Sequence, residues 1–436
     1  MALFGVAVMQ AQVTPAPQTV TLKDAVNYAL QNKAEAAKAR LDVENSEYQI
    51  QEVRAQALPN ISADGNLTYN PILQLNAVNF GQGTQLLAFG QKWNSLGGVN
   101  LTQKIFDQSV FTGLQAARTT REFYQVNAKL TEEQVIERVA NNYYQVYVQR
   151  QKLVLIDSTY KNTEKIRNII KGQFDAGLAR KIDLDRMNVN LNNIETQRQQ
   201  ILNAVELQEN ALKFYMGMPI NTPITLPKTD FEVKPIALNE SLDVTQRTEY
   251  QLLKKQEKLY YYNKKAQIAA YYPTLSLTAG YNYIGQGPEL PWFKKPSDGV
   301  YWSDYSSIGV NLHIPIFSGF GTRAKVRQAD IELRKTAEDI KDTQLSLDMA
   351  FENAKTQITN NLITIKSQKE NVQLAKEVLE NTQNNYQQGL ATLTDLLDAE
   401  TSHIEAQNNY TAALLDYKLA EVQLIKAKGE LQTLKN

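Results

Sequence analysis

The sequence contains a Glu-x-x-His motif, "ETSH", at Glu400 to His403. This spacing places a carboxylate and an imidazole on one helical face, and di-iron helical bundles use the motif twice to hold their metal ions. That chemistry needs a second copy, but the only other histidine, His313, lies in an alternating segment that predicts a strand. An ordinary polar helix face therefore explains the motif better than a metal site.

A second motif, "GFGTRA" in residues 319–324, matches the G-x-G-x-x-A fingerprint of dinucleotide-binding folds. The strand predicted before it contains Pro315 and alternates in polarity, whereas a parallel core strand would be continuously apolar. The helix after it also continues past the point where a second strand would supply a ribose-binding acid. We therefore interpret these glycines as residues that ease a strand-to-helix bend.

The remaining composition argues against catalysis. No grouping of serine, histidine and acid matches a catalytic motif, and the absence of cysteine excludes thiolate metal sites, cysteine nucleophiles and a cysteine-linked lipid on this form of the chain. Lys plus Arg and Asp plus Glu number 46 each, so no net field attracts nucleic acid. The sequence predicts no enzyme, no cofactor and no nucleic-acid partner.

Two aspartates, Asp395 and Asp398, lie three residues apart on one face of a predicted helix. Thr392 and Asp395 also have the spacing of a capping box, and the helix dipole favours an acid in the first turn. Capping and function explain Asp395 about equally well, whereas capping explains Asp398 less easily. The preceding "GLATLTD" resembles "GLARKID" from Gly177, which places Asp183 where the later stretch has Asp395.

These two stretches belong to an internal repeat with an offset of 212 residues, which maps Gly177 onto Gly389. We assign residues 13–219 to the first repeat, 220–241 to a proline-rich linker and 242–436 to the second repeat. Residues 1–12, "MALFGVAVMQAQ", are apolar and small, and we interpret them as a signal-peptide remnant.

Each repeat contains two segments of alternating polarity that predict strands of about ten residues, long enough to cross a bilayer when tilted. Their apolar faces comprise Ile61, Ala63, Gly65, Leu67 and Tyr69; Val99, Leu101 and Ile105; Leu275, Leu277, Ala279, Tyr281 and Tyr283; and Ile308, Val310, Leu312 and Ile314. The loops between them, about residues 71–95 and 284–305, are long, and the second is rich in aromatics, as in outer-membrane barrels. The alternative for any single strand is a half-buried sheet of a soluble domain.

Helices fill the rest of each repeat. We predict helices at 22–57 and 242–271, and a very long one at 318–388, on the order of 100 Å. Its apolar seam repeats every seven residues from Val326 to Ala354, then from Ile358 to Tyr386, with a four-residue stutter typical of a coiled coil. Return helices are predicted at 183–216 and 395–431. Gly177 and Gly389 suit the left-handed residue that closes a helix at each hairpin tip.

This duplicated order of helix, strand, loop, strand, long helix, tip and return helix resembles the outer membrane efflux protein family, the TolC-like channels. "IPIFSGFGTRAKVRQA" at 314–329 is similar to its strand-to-helix junction, and "GLATLTDLLDAE" at 389–400 to its last tip. The resemblance implies a mixed α+β membrane protein. In it, three chains with four strands each form a 12-stranded transmembrane β-barrel, which continues into a long α-helical coiled-coil barrel in the periplasm. Four strands cannot close a barrel, whereas about 12 leave an open lumen.

The resemblance also assigns roles at the tips. Asp395 and Asp398 are expected to form a pore constriction, and Asp183, Tyr386 and Arg180 to make gating contacts. This sequence departs from the family pattern because Ala391 stands where an arginine usually follows the second tip glycine. The sequence therefore does not identify which cation, if any, locks the entrance.

We accordingly expect an exit duct in the outer membrane of a Gram-negative bacterium, extending into the periplasm. Its expected partners are two further copies of itself, outer-membrane lipid, a periplasmic adaptor (membrane fusion) protein and an inner-membrane pump of the RND, ABC or MFS type. The alternative is a coiled-coil scaffold without a pore in the periplasm or cytoplasm. The sequence does not identify the cargo.

Overall fold

The computed structural model describes residues 18–79, 81, 83–227, 233 and 242–435. The signal-like segment at 1–12 and most of the predicted linker lie outside the described residues. The elements, in chain order, are β1 (Gln18–Thr19), α1 (Leu22–Asn32), α2 (Ala34–Ala55), β2 (Asn60–Tyr69), β3 (Leu75–Asn79), β4 (Thr84–Ala88), β5 (Trp93–Phe106), α3 (Gln108–Asp175), α4 (Lys181–Met216), β6 (Ile224–Thr225), α5 (Thr248–Ala269), β7 (Thr274–Gly287), β8 (Tyr301–His313), α6 (Gly321–Gln387) and α7 (Leu393–Lys428). Short 3₁₀ turns occupy Val244–Gln246, Pro296–Asp298 and Leu431–Lys435.

The chain forms two compact units, and each takes segments from both sequence repeats. The strand unit comprises residues 43–124 and 253–339, and the helical unit comprises the described residues up to 42, 125–252 and from 340 onward. None of the described helices is long and apolar enough to cross a membrane.

The strand unit contains one antiparallel sheet of four strands in the order β2-β5-β7-β8. Ile61, Leu101, Ala279 and Ile308 form one row across it, so the four strands share an apolar face as predicted. Two residues predicted for this face are exceptions: Ile105 lies at a bulge, and Ile314 follows the end of β8. That face is open: Ile308 is 83% exposed and Ile61 67% exposed. Because no other described residue of the strand unit covers these side chains, the described chain leaves a large apolar surface exposed.

Polar side chains occupy the opposite face and bond to one another across strands. The Asn100 side chain donates to Asp64 at 2.9 Å, and the Gln286 side chain donates to Asn94 at 3.0 Å. Gly98 leaves room for the Asn282 side chain, because a Cβ atom there would lie 2.1 Å from its side-chain oxygen and displace it. The face predicted to be polar is therefore a connected polar surface.

Three details of the sheet differ from the sequence prediction. The first predicted loop contains a hairpin, β3 paired with β4, because its two short alternating segments bond to each other. Strands β5, β7 and β8 are longer than predicted, so the second loop shrinks to residues 288–300. A β-bulge after Lys104 places Phe106 opposite Leu275 and leaves Ile105 as the extra residue.

The helical unit confirms the predicted long helix and its seam. Helix α6 is unbroken over 67 residues. Within the helical unit, the seam residues from Ile340 to Ile365 are buried, whereas Val372, Leu379 and Tyr386 are half-buried. The turns of α6 that carry Ala354, Ile358 and Ile365 pack on α7. Tyr417 of α7 is fully buried in the apolar cluster that they form together. Heptad spacing therefore predicted which side chains meet.

The predicted helix at 22–57 is two helices, α1 and α2, that break at Lys33. The Lys33 backbone leaves the helical region, and its side-chain amine donates to the Phe214 carbonyl at 2.9 Å. The main chain of Gly217 packs so closely there that a Cβ atom would lie 2.8 Å from the Asn32 carbonyl oxygen. This contact between distant segments causes the break, so local sequence did not predict it.

Candidate functional site at the paired hairpin tips

The two hairpin tips in the helical unit have the same backbone turn. Gly177 and Gly389 adopt φ of 77° and 75°, the left-handed conformation that glycine accepts without strain. In both tips the next amide reaches back five residues: Leu178 donates to the Gln173 carbonyl at 2.7 Å, and Leu390 to the Asn385 carbonyl at 2.8 Å. These bonds satisfy carbonyls at the helix ends.

An apolar cluster joins the two tips. Its buried members come from both hairpins: Ile170 from α3, Met187 from α4, and Leu393 and Leu396 from α7. Tyr386, at the end of α6, packs against them while half-buried. The structure therefore brings the predicted gating and constriction segments into one site.

Asp395 closes a capping box at the start of α7. Its carboxylate accepts from the Thr392 amide at 2.8 Å and the Thr392 hydroxyl at 2.7 Å, and its own amide donates to that hydroxyl. These hydrogen bonds lower the pKa of Asp395 below the ordinary carboxyl value. The side chain stays exposed, so its charge is available to solvent as well as to the helix end.

Asp398 lies one turn further along α7 and is also exposed. Within the part of the chain that the structure describes, no hydrogen bond or ion pair engages its carboxylate. Capping therefore accounts for Asp395 in part and does not account for Asp398.

At the first tip, the Arg180 guanidinium donates to the Asp183 carboxylate at 3.0 and 3.2 Å. Both residues belong to the same tip, and Arg180 is 80% exposed, so this ion pair contributes little to stability. Tyr386 lies near this ion pair. The pKa of the Tyr386 hydroxyl is raised mainly by burial and further by the negative charge of Asp183. That hydroxyl bonds to no other described residue.

Sequence reasoning missed a direct bond between the tips. The Arg186 guanidinium on α4 donates to the Thr394 hydroxyl on α7 at 3.1 Å. The repeat does not indicate this bond, although its offset of 212 residues places Arg186 where the second repeat has Asp398. One repeat therefore presents a cation, and the other an anion, at the same position.

The prediction that Glu400 lies on an ordinary polar helix face was wrong, because Glu400 is buried. Its carboxylate accepts from the Thr163 hydroxyl of α3 at 2.5 Å and from the Asn190 amide of α4 at 3.4 Å. Burial raises its pKa above the ordinary value, and these two bonds partly oppose the shift. Glu400 thus ties the second hairpin to both helices of the first.

His403 lies one turn after Glu400 and lines the same cavity of about 470 Å³ between α3, α6 and α7. Burial lowers its pKa, as does the nearby Lys376. No three metal-binding side chains converge anywhere in the described ranges. The Glu-x-x-His motif therefore supplies a helix-bridging acid here.

Comparison with known proteins identifies the fold and the family. A family model described as outer membrane efflux protein matches residues 25–218 and 253–430, which cover most of both repeats. TolC of Escherichia coli (strain K12) is 23% identical over 95% of this chain and 83% of its own length. AprF of Pseudomonas aeruginosa, an alkaline protease secretion protein, is 20% identical over 75% of this chain and 68% of its own.

Among solved structures, the CmeC outer membrane channel of Campylobacter jejuni matches with a TM-score of 0.77 and 18% identity. The match covers 97% of this chain and 90% of CmeC. The fold described above is therefore that of known outer-membrane channels. The chain belongs to the outer membrane efflux protein family, and it is an outer-membrane channel protein and not an enzyme.

Proposed function

We propose that three copies of this chain form the outer-membrane exit duct of a tripartite export system. Cargo would pass from an inner-membrane pump of the RND, ABC or MFS type and a periplasmic adaptor, through the helical part and the strand part, to the exterior. The duct itself would hydrolyse nothing and need no cofactor.

The four-stranded sheet is the observation that carries this proposal. Its outer strands, β2 and β8, have 10 and 13 residues, and neither has a strand partner on its outer side among the described residues. Long unpaired edges are strong templates for strand pairing, and natural proteins rarely leave them open. Pairing β8 of one copy with β2 of the next closes about 12 strands when three copies join.

The two faces of the sheet fit such a barrel. The bare apolar face would meet lipid, and the connected polar face would line water. A coiled-coil scaffold without a pore, the alternative, has no use for an exposed apolar sheet, so this surface favours the duct.

The tips support the constriction proposed from the family resemblance. Asp395 and Asp398 are both exposed on the first turns of α7, so three copies would place about six carboxylates around one axis. Such a ring favours cations. Gating is proposed to rest on contacts of the tips between copies, since the Tyr386 hydroxyl has no described partner within its own chain.

The contacts of one tip with the other inside a chain would have to break or shift for the duct to open. They comprise the Arg186–Thr394 bond, the two bonds to Glu400 and the apolar cluster. The name of AprF indicates that a relative serves protease secretion. We therefore propose that the pump, and not this chain, determines the cargo.

Membrane fractionation followed by planar-bilayer conductance tests the proposal. We expect the protein in the outer-membrane fraction, as a trimer that conducts ions. A soluble protein, or a membrane protein that never conducts, would leave the scaffold as the better account.

A further inference from the structure

The loop between β7 and β8, residues 288–300, presents one aromatic side chain without any contact. Phe293 is 104% exposed, which means that no described residue of the chain shields it. Its φ is 64°, a left-handed conformation that bulky residues rarely adopt. A conformation of this kind persists only where surrounding structure holds it, and such positions cluster at functional sites.

The residues around Phe293 supply that surrounding structure. The Trp292 indole donates to the Ser95 hydroxyl at 3.0 Å, and the Trp302 indole donates to the Pro291 carbonyl at 3.3 Å. Val300, at the end of the loop, is fully buried. The two indole bonds hold the loop immediately before Phe293, and the buried Val300 holds its far end, while the Phe293 side chain stays exposed.

Both indole bonds lie on the apolar face of the sheet. Ser95, Gly285 and Trp302 form one row of that face. The Trp302 ring covers Gly285, where a Cβ atom would lie 2.6 Å from it, and stacks on Tyr283 with a centroid distance of 4.9 Å. The loop thus folds down onto the apolar face, at the end where its aromatic residues gather.

We propose that Phe293 is an interfacial anchor that inserts among the lipid headgroups at the loop end of the strands. The proposal rests on the proposed function, in which the apolar face meets lipid. Aromatic side chains favour this depth of a bilayer. Lys294, which pairs with Glu289 at 2.8 Å, and the exposed Lys295 adjoin it and can donate to lipid phosphates.

Lipid suits this position better than a second copy of the chain does. The loop is held over β5, an inner strand, through Ser95. A neighbouring copy would pair at the sheet edges, β2 and β8. The apolar surface beside Phe293 is continuous with the face proposed to contact acyl chains. The membrane that covers that face therefore also reaches Phe293.

The absence of native cysteine allows site-specific labelling. We would attach an environment-sensitive fluorophore to Phe293→Cys, Ile308→Cys and Ser307→Cys in trimers reconstituted into phospholipid vesicles. Ile308 marks the apolar face and Ser307 the polar face. We expect the label at 293 to emit at shorter wavelength than the label at 307, to be quenched more strongly by headgroup-labelled lipid and to be quenched less strongly by iodide. Iodide quenching as strong as that at 307, together with no stronger quenching by the lipid, would overturn the anchor.

The Ile308 label separates the two proposals. If it is quenched by lipid while the 293 label is in water, the anchor fails and the barrel stands. If the 308 label is also in water, the apolar face does not contact lipid, and both the proposed function and the anchor are contradicted.

Phe293→Trp gives a second reading that keeps an aromatic residue in place. Its added emission over wild type should be quenched by brominated lipid. Quenching of that added emission by iodide alone would contradict the anchor.

Discussion

At the residue level, the paired tips hold carboxylates in two different environments. Asp395 and Asp398 are exposed, and hydrogen bonds from Thr392 lower the pKa of Asp395. Glu400 is buried, and its pKa is raised mainly because burial penalises the charged form. The exposed pair would act on ions in the duct, whereas Glu400 acts on the packing of the two hairpins. Acid therefore affects conduction and tip stability by separate routes.

Glu400→Gln should remove one pH dependence of tip stability. Because the pKa of Glu400 is raised in the packed tip, protonation stabilises that tip, fully at low pH, and the benefit is lost as pH rises through the raised pKa. Gln stays neutral and keeps an acceptor for Thr163. We expect the variant to melt above wild type at neutral pH and to approach it in acid, measured by thermal unfolding of the trimer.

The exposed Glu405 provides the matched control on the same helix. Glu405→Gln should leave the melting difference near zero at every pH. A Glu400→Gln variant that follows wild type across the same pH range would show that Glu400 is not a titrating element of the tip.

Thr163→Val should weaken the contact between hairpins. Removing the hydroxyl leaves a buried carboxylate oxygen of Glu400 without its donor, which costs roughly 1–3 kcal/mol. Thr159→Val is the control, since Thr159 donates only to the Leu155 carbonyl of its own helix. Denaturant unfolding of both variants measures the difference, and equal losses would contradict the bridging role.

Tyr386→Phe tests contacts between copies. The hydroxyl bonds to no other described residue of its own chain, so the ring can stay in the apolar cluster when the oxygen is removed. We expect normal trimers with raised resting conductance. Tyr28→Phe, at a half-buried tyrosine of α1, is the control. Equal resting conductance in the two variants would show that the Tyr386 hydroxyl is not part of the gate.

At the element level, the features that follow from sequence periodicity could be predicted. Alternating polarity predicted the four strands and their faces, and heptad spacing predicted the α6 seam. The two glycines indicated where the tip turns lie. The misses have tertiary causes: the break at Lys33 follows from packing on Gly217, and the burial of Glu400 depends on helices distant in sequence. The β-bulge after Lys104 likewise needs the partner strand to be defined. No period in a single sequence encodes such contacts.

The strand register predicts opposite effects of a lysine at adjacent positions. Leu277 pairs with Val310 on the apolar face, and Ser276 pairs with Asn311 on the polar face. A lysine at Leu277 or Val310 should cost roughly 2 to 4 kcal/mol near the bilayer midplane and reduce membrane assembly. A lysine at Ser276 or Asn311 should be tolerated because water is available. Trimer yield from membranes measures this, and equal yields for both pairs would refute the assigned faces.

At the level of the whole molecule, the chain exposes surfaces that it cannot satisfy alone. Among the described residues, its sheet has two unpaired edges and an uncovered apolar face, and its second tip presents the Asp398 carboxylate without a bonding partner. Three copies in a membrane would satisfy the edges and the face, and would bring the aspartates around one axis. The central claim is therefore a trimeric, cation-preferring duct that narrows at the tips.

Single-channel current under a salt gradient, with and without a trivalent cation, tests that claim most directly. Asp395→Asn with Asp398→Asn keeps the shape and a capping acceptor while removing the ring charge. Asp24→Asn is the control, because Asp24 closes the same capping box with Thr21 on α1, outside the tips. Wild-type conductance should also fall in acid, below the ordinary carboxyl range, because the hydrogen bonds from Thr392 lower the pKa of Asp395 and so delay the loss of its charge.

We expect the double variant to assemble as trimers, to lose cation preference and to escape block by the trivalent cation, while Asp24→Asn behaves like wild type. If the double variant keeps both its reversal potential and its sensitivity to block, the aspartates only cap α7 and the duct does not narrow at this ring.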